Sequence, residues 1–132
     1  MTPKAIKNWH TIVETKDFNL LDDILADNAK LYSPVVHTIQ EGKEITKMYL
    51  MGAAMVLCNG SFKYVREVYD DGFAVLEFET ELNGIFVNGV DMISWDLDDK
   101  ITDFKVMVRP LKAVNTVHQL MGEALMQINR SE

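Results

Sequence analysis

Phe73-Ala74-Val75-Leu76-Glu77-Phe78-Glu79-Thr80-Glu81-Leu82-Asn83-Gly84-Ile85 decides the fold class. Leu76, Phe78, Thr80 and Leu82 alternate with Glu77, Glu79 and Glu81, the two-residue period of a strand with one dry and one wet face. Asn83-Gly84 follows at once. That pair suits a tight type I′ turn, whose two central residues both need positive φ. Similar alternating runs span Phe62 to Tyr69, Ile85 to Leu97 and Ile101 to Val108, broken at Asp71-Gly72 and Asp98-Asp99. Four strands joined by short turns form an antiparallel meander.

Outside the meander the period is helical. Thr2 can cap a first helix with Pro3 at its first position, and Ala5, Ile6, Trp9, Ile12 and Val13 form its apolar stripe to about Lys16. Asp17 or Asn19 can cap a short helix from Leu20 to Leu25, and Ala29 to Ser33 reads as extended before Pro34. A third helix from Lys43 to Cys58 places Ile45, Met48, Tyr49, Gly52, Met55 and Val56 on one side. Leu111 to Ile128 forms a last helix. Helices followed by a run of strands predict an α+β fold over 1–132 as a single domain. A long sheet with helices on one face should curl around them and leave room inside for a small molecule.

Three glutamates on one face mark the outside of the second meander strand, so its Leu/Phe face is inside. Phe104, Val106 and Val108 turn inward on the last strand for the same reason. On the third strand, the bulk of Ile93 and Trp95 directs them inward, and Asp91 shares their face. Burial without a charge partner disfavours the anion and raises the pKa of a carboxyl. Such a group is either a hydrogen-bonded structural acid or a tuned catalytic one.

Composition narrows the partners. Hydrophobic residues are 48% of the chain, too many for a disordered segment. Thirteen Lys+Arg against twenty Asp+Glu give a net charge of −7, which argues against nucleic acid and an anionic membrane surface. The longest uncharged run, Met48 to Phe62, is shorter than the roughly 20 residues of a spanning helix, and the first residues lack the apolar core of a signal peptide. A lone cysteine, Cys58, excludes an internal disulfide and fits a reducing, cytoplasmic setting. His10, His37 and His118 lack the spacing of a zinc site, so neither metal nor cofactor is expected.

The order of elements, with Trp9 and Asp17, Leu31-Tyr32-Ser33-Pro34, Gly42, Ile45, Tyr49 and Asp91-Met92-Ile93-Ser94-Trp95-Asp96 before Lys100-Ile101, resembles the NTF2-like superfamily. The likeness runs from about Ala5 to Val108 and is greatest to the SnoaL-like branch, which includes polyketide cyclases, ketosteroid isomerases and epoxide hydrolases. It implies a cystatin-like α+β cone: a strongly curved antiparallel sheet wrapped around the N-terminal helices, with an apolar pocket and frequent pairing into homodimers. It also implies that Asp91 matches the acid that ketosteroid isomerases keep protonated. Their helix tyrosine corresponds to Trp9, and their general base to Ser33, whose hydroxyl is no base near neutral pH. The second acid of the epoxide hydrolases would fall near Val106. A lone acid is compatible with the polyketide cyclases.

The expected catalytic residues are Asp91 and, from the loop beside the cavity mouth, His37. The expected pocket comprises Trp9, Val13, Tyr32, Ser33 and Met55 from the first part of the chain. Phe78, Ile93, Trp95, Phe104 and Val106 complete it from the strands. Tyr32, Tyr49 and Tyr64 can each donate into the cavity. Arg66, two residues from Tyr64, would pair Asp91 if their common face is inward. Two functions fit: an acid–base enzyme of isomerase, cyclase or hydrolase type acting on a small hydrophobic substrate through Asp91, or a non-catalytic binding or dimerisation module.

Overall fold

A computed structural model describes residues 1–131, with side chains through Asn129. Helix α1 (Lys4–Thr15) leads through a 3-10 turn (Phe18–Leu20) and the short α2 (Leu21–Ile24) into strand β1 (Leu25–Tyr32). Strand β2 (Gln40–Glu41) and helix α3 (Lys43–Leu57) follow. The meander is β3 (Lys63–Asp70), β4 (Phe73–Leu82), β5 (Ile85–Trp95) and β6 (Ile101–Arg109), and α4 (Leu111–Ser131) closes the chain. The expected α+β arrangement holds. Asn83 and Gly84 take φ of 51° and 79°, as the hairpin turn requires. Asp17 caps the 3-10 turn by accepting from the Asn19 N–H at 3.3 Å. Pro3, rather than Thr2, is the N-cap of α1.

One sheet contains all six strands in the order β2-β1-β6-β5-β4-β3. It is mixed, not wholly antiparallel, because β1 runs parallel to β6 with Leu31 opposite Phe104. Leu25, expected to close the short helix, already belongs to β1. The β1–β6 register slips between Leu25 and Lys30, where the Ala29 carbonyl turns to other donors. It accepts from the Gly42 N–H at 2.8 Å and from the buried Thr46 hydroxyl at 3.1 Å, which ties β1 to the start of α3.

The dry face of the sheet holds Leu76, Phe78, Val87, Ile93 and Phe104, each 0–1% exposed. Ile6, Trp9 and Ile12 of α1, Leu50 and Leu57 of α3, and Val117 and Met121 of α4 pack into the same core. Gly89 of β5 is a point of close approach. A Cβ there would stand 2.4 Å from the Phe78 ring and 2.6 Å from the Met107 carbonyl oxygen, so only glycine admits both neighbours. Among the described residues, no helix is long and apolar enough to cross a membrane.

Gly89→Ala should therefore destabilise the fold by about 3 kcal/mol in chemical denaturation, because both neighbours must move. A change within experimental error would show that the Phe78 ring is not held over this position.

Candidate active site

Asp91 sits in the middle of β5, opposite Leu76 on one side and Val106 on the other, and is 5% exposed. It points into the cone, as the alternation of β5 requires. The Tyr64 hydroxyl donates to its Oδ2 at 2.6 Å, and the Trp9 Nε1–H donates to the Tyr64 oxygen at 2.8 Å. Trp9 is held by packing edge-on against Phe104, with centroids 4.8 Å apart.

The inward aim of Tyr64 has a local cause. Tyr64 lies opposite Phe78, but Arg66 lies opposite Glu77, so Val65 is an extra residue in β3. This bulge reverses the alternation. Tyr64 stays on the dry face with Glu67 and Tyr69, while Arg66 and Val68 go to the outer face. The expectation that Arg66 shares the face of Tyr64 is thereby corrected. Its side chain is 80% exposed and pairs Glu77. No cation reaches Asp91 among the described residues.

Desolvation consequently dominates the acid. Burial raises the Asp91 pKa from 3.8 to about 7, and the Tyr64 hydrogen bond opposes it only in part. Tyr64 is pushed well above its usual value, first by burial and then by the charge of Asp91. Cys58, at the end of α3, rises to about 11, chiefly through burial. Its thiol is therefore no nucleophile near neutral pH.

Asp91 lines a void of about 30 Å³ together with Trp9, Leu50, Ala53, Ala54, Leu57, Cys58, Phe62, Tyr64, Phe78, Phe104 and Val106. Every fully buried side-chain oxygen or nitrogen among the described residues has a hydrogen-bond partner. Asp91 Oδ1 has none there, so it is not fully enclosed, and Asp91 is among the residues that line the void. A second void of about 20 Å³ lies across Ala53, Leu57 and Val106, and is lined also by Leu31, Ser33, Pro34, Tyr49, Val117 and Met121. The last two belong to α4, which thus covers that end of the cone. Drug-sized ligands occupy pockets of roughly 300 Å³ or more. The protein's own side chains fill most of the cone.

Of the expected site residues, Trp9, Phe78, Phe104, Val106 and Asp91 meet at the first void. Ser33 borders the second, its Oγ accepting from the Val35 N–H at 3.1 Å. Ile93 is fully buried, and Val13 and Trp95 pack against the core, but none of the three lines either void. Three expectations are corrected. Tyr32 lies on the outer face under the Lys105 ammonium, 4.8 Å from the ring centroid. His37 lines an open groove of about 800 Å³ on that side with Tyr32, Ile39, Lys105 and Met107, away from Asp91. Met55 is half exposed in a groove between α3 and α4. The sequence reading gave Tyr64 no special weight. Its signal is an aromatic donor on β3, one strand removed from β5 across β4, and the bulge sets its inward aim.

Half-buried groups flank the site. His10 Nε2 meets Glu67 Oε2 at 2.9 Å, and the Tyr69 hydroxyl donates to Glu67 Oε1. Among the described residues, no three His, Cys, Asp or Glu side chains gather as a metal site would need.

No protein-family model and no curated protein matches the sequence. Solved structures do. A steroid delta-isomerase from Pseudomonas aeruginosa is 30% identical, with 96% of this chain and 92% of that chain covered and a TM-score of 0.89. An uncharacterised protein with a cystatin-like fold from Silicibacter pomeroyi is 24% identical over 96% and 89% of the two chains, with a TM-score of 0.87. At 15% identity, the epoxide hydrolase/cyclase-like enzyme SalBIII of pyran ring formation in polyether salinomycin shares the fold over 80% and 88%, with a TM-score of 0.65. NTF2-like proteins at 13–18% identity share it as well. With the curved sheet in place, and a 30%-identical relative matched over nearly the full length of both chains, the chain belongs to the NTF2-like superfamily, in its SnoaL-like branch.

Proposed function

We propose that the protein binds a small apolar molecule carrying a hydrogen-bond-accepting oxygen, with Asp91 as the acid–base group of the cavity. The observation that carries this reading is a carboxyl buried among aromatic and aliphatic side chains, held by one hydroxyl and with one oxygen toward a void. A purely structural acid would satisfy both oxygens, because an unpaired buried polar atom is destabilising. Near neutral pH this carboxyl exists in both forms. The acid form donates to a carbonyl or ether oxygen, and the ionised form accepts a proton from substrate.

Ser33 stands where isomerases of this branch carry a base, so proton abstraction and return both fall to Asp91. That favours a cyclase- or hydrolase-like reaction over a two-residue isomerisation. Seating a ligand requires the side chains around the two voids, which share Ala53, Leu57 and Val106, to move apart. The small size of the closed voids is the observation favouring the other reading, a non-catalytic binding or dimerisation module.

For the partner surface, we propose a second copy of the chain on the outer sheet face. Val68 and Met107 are 67% and 50% exposed there, beside Val75, Val90 and Met92 of the same face. An apolar patch ringed by charges suits a self-complementary dimer better than open water.

A thermal-shift screen of small cyclic ketones and enones at pH 6 should stabilise the wild type and bind Asp91→Asn about tenfold more weakly, the loss of one charge-assisted or strong hydrogen bond. Equal binding would remove Asp91 from recognition, and no binding to either would favour the module.

Asp91 also makes stability depend on pH. Its folded pKa lies above its unfolded value of 3.8, so ionising it penalises the folded state. The stability of the wild type relative to Asp91→Asn should be highest below about pH 4, fall as pH rises to about 7 and then level off. A difference constant from pH 4 to 8 in denaturant titrations would contradict the burial account.

In sedimentation velocity the wild type should run as a dimer and Met107→Glu as a monomer. A wild type monomeric at all concentrations tested refutes the proposed interface.

A further inference from the structure

The chain Trp9–Tyr64–Asp91 has a direction. An indole N–H can donate and never accept. The Tyr64 oxygen therefore always receives the Trp9 proton, at 2.8 Å. The second bond, 2.6 Å long, has two possible senses. In one, Tyr64 donates to Asp91 Oδ2, and each group passes on one proton. In the other, Asp91 donates to Tyr64, whose oxygen then holds two donors while its own proton is left with no acceptor among the described residues. A hydroxyl that accepts one bond donates the next more strongly, so the first sense is cooperative and the second is not. His10 offers no way out for the hydroxyl proton: its ring centroid is 5.9 Å from that of Tyr64, and its Nε2 is engaged by Glu67.

We propose that Trp9 is a positioning residue that locks this direction, so that any proton carried by Asp91 resides on Oδ1, the oxygen beside the cavity. The inference rests on the reading of Asp91 as the acid–base group and deepens it. Both protonation states of Asp91 then keep the same Tyr64 and Trp9 hydrogen bonds. The carboxyl gives and takes a proton at a single atom without reorganising its supports. The cavity ligand is accordingly of the class that meets Asp91 through one oxygen or one acidic C–H at Oδ1, with no second donor from Tyr64. A tyrosine at position 9 would not impose this, since a hydroxyl can donate or accept.

The test is a carbon-detected NMR titration of the Asp91 carboxyl in the ligand-free protein, with wild type, Trp9→Phe and Phe104→Leu compared. The titratable groups lining the same void are Tyr64 and Cys58. Losing the Trp9 donor weakens the Tyr64 bond to the carboxylate and frees the hydroxyl to turn. The Asp91 midpoint should then rise by about one pH unit in Trp9→Phe. Phe104→Leu disturbs the packing of the indole but keeps its N–H, and should leave the midpoint in place. An unchanged midpoint in Trp9→Phe, or an equal rise in both variants, overturns the proposal. If Trp9→Phe does not fold, the wild type still decides. The Tyr64 hydroxyl proton should couple to the Asp91 carboxyl carbon both below and above the midpoint, and loss of that coupling at low pH overturns the proposal. No ligand takes part, so failure here is distinct from failure of the ligand screen.

Discussion

A carboxyl buried in the sheet, with no cation beside it among the described residues, sets the terms for the rest of this molecule. Asp91 lies between Leu76 and Val106 in the sheet and takes one hydrogen bond, from Tyr64. Its ionisation is resisted by desolvation, which no guanidinium or ammonium among the described residues offsets. Had Arg66 turned inward, it would have fixed Asp91 as a permanent anion and the cavity as an ion-pair site. The extra residue at Val65 sends Arg66 to Glu77 instead. One irregularity in one strand thus supplies Tyr64 and withholds Arg66.

Other departures from regular structure serve the same place. Gly89 lets the Phe78 ring lie across β5 as a wall of the void, stacked on Phe62 at 5.2 Å. The displaced register of β1 frees the Ala29 carbonyl to anchor Thr46, and so sets the depth of α3, whose Leu50, Ala54 and Leu57 form another wall. α4 closes the second void through Val117 and Met121. The walls are otherwise apolar, so the acid, Tyr64 and Trp9 are the polar groups that would orient the proposed ligand.

Much of this was legible in the sequence because it is local. The alternation of Leu76, Phe78, Thr80 and Leu82 against three glutamates, with the Asn83-Gly84 turn, marks the meander, and the bulk of Ile93 and Trp95 marks the inward face of Asp91. The parallel pairing of β1 with β6 left no local mark, since nothing in Leu25 to Tyr32 encodes a partner some 70 residues away. The face of α3 was ambiguous for a different reason. Leu50 to Leu57 is apolar all round, so a 3.6-residue period selects no unique side, and Met55 fell outside while Ala54 and Leu57 went in. The family resemblance points to Tyr32 and His37 as cavity neighbours, but β1 ends at Tyr32 and its ring lies over the convex face. Tyr64 was hidden by a bulge that alternation alone cannot reveal.

Infrared difference spectroscopy of the wild type against Asp91→Asn measures the protonation of this one carboxyl directly. The account requires a protonated C=O stretch, absent from the variant, that is present at pH 5.5 and fades with a midpoint near about 7. A spectrum in which Asp91 is already a carboxylate at pH 5.5 would contradict the claim that burial, with only a hydroxyl to oppose it, makes this residue the acid of the cavity.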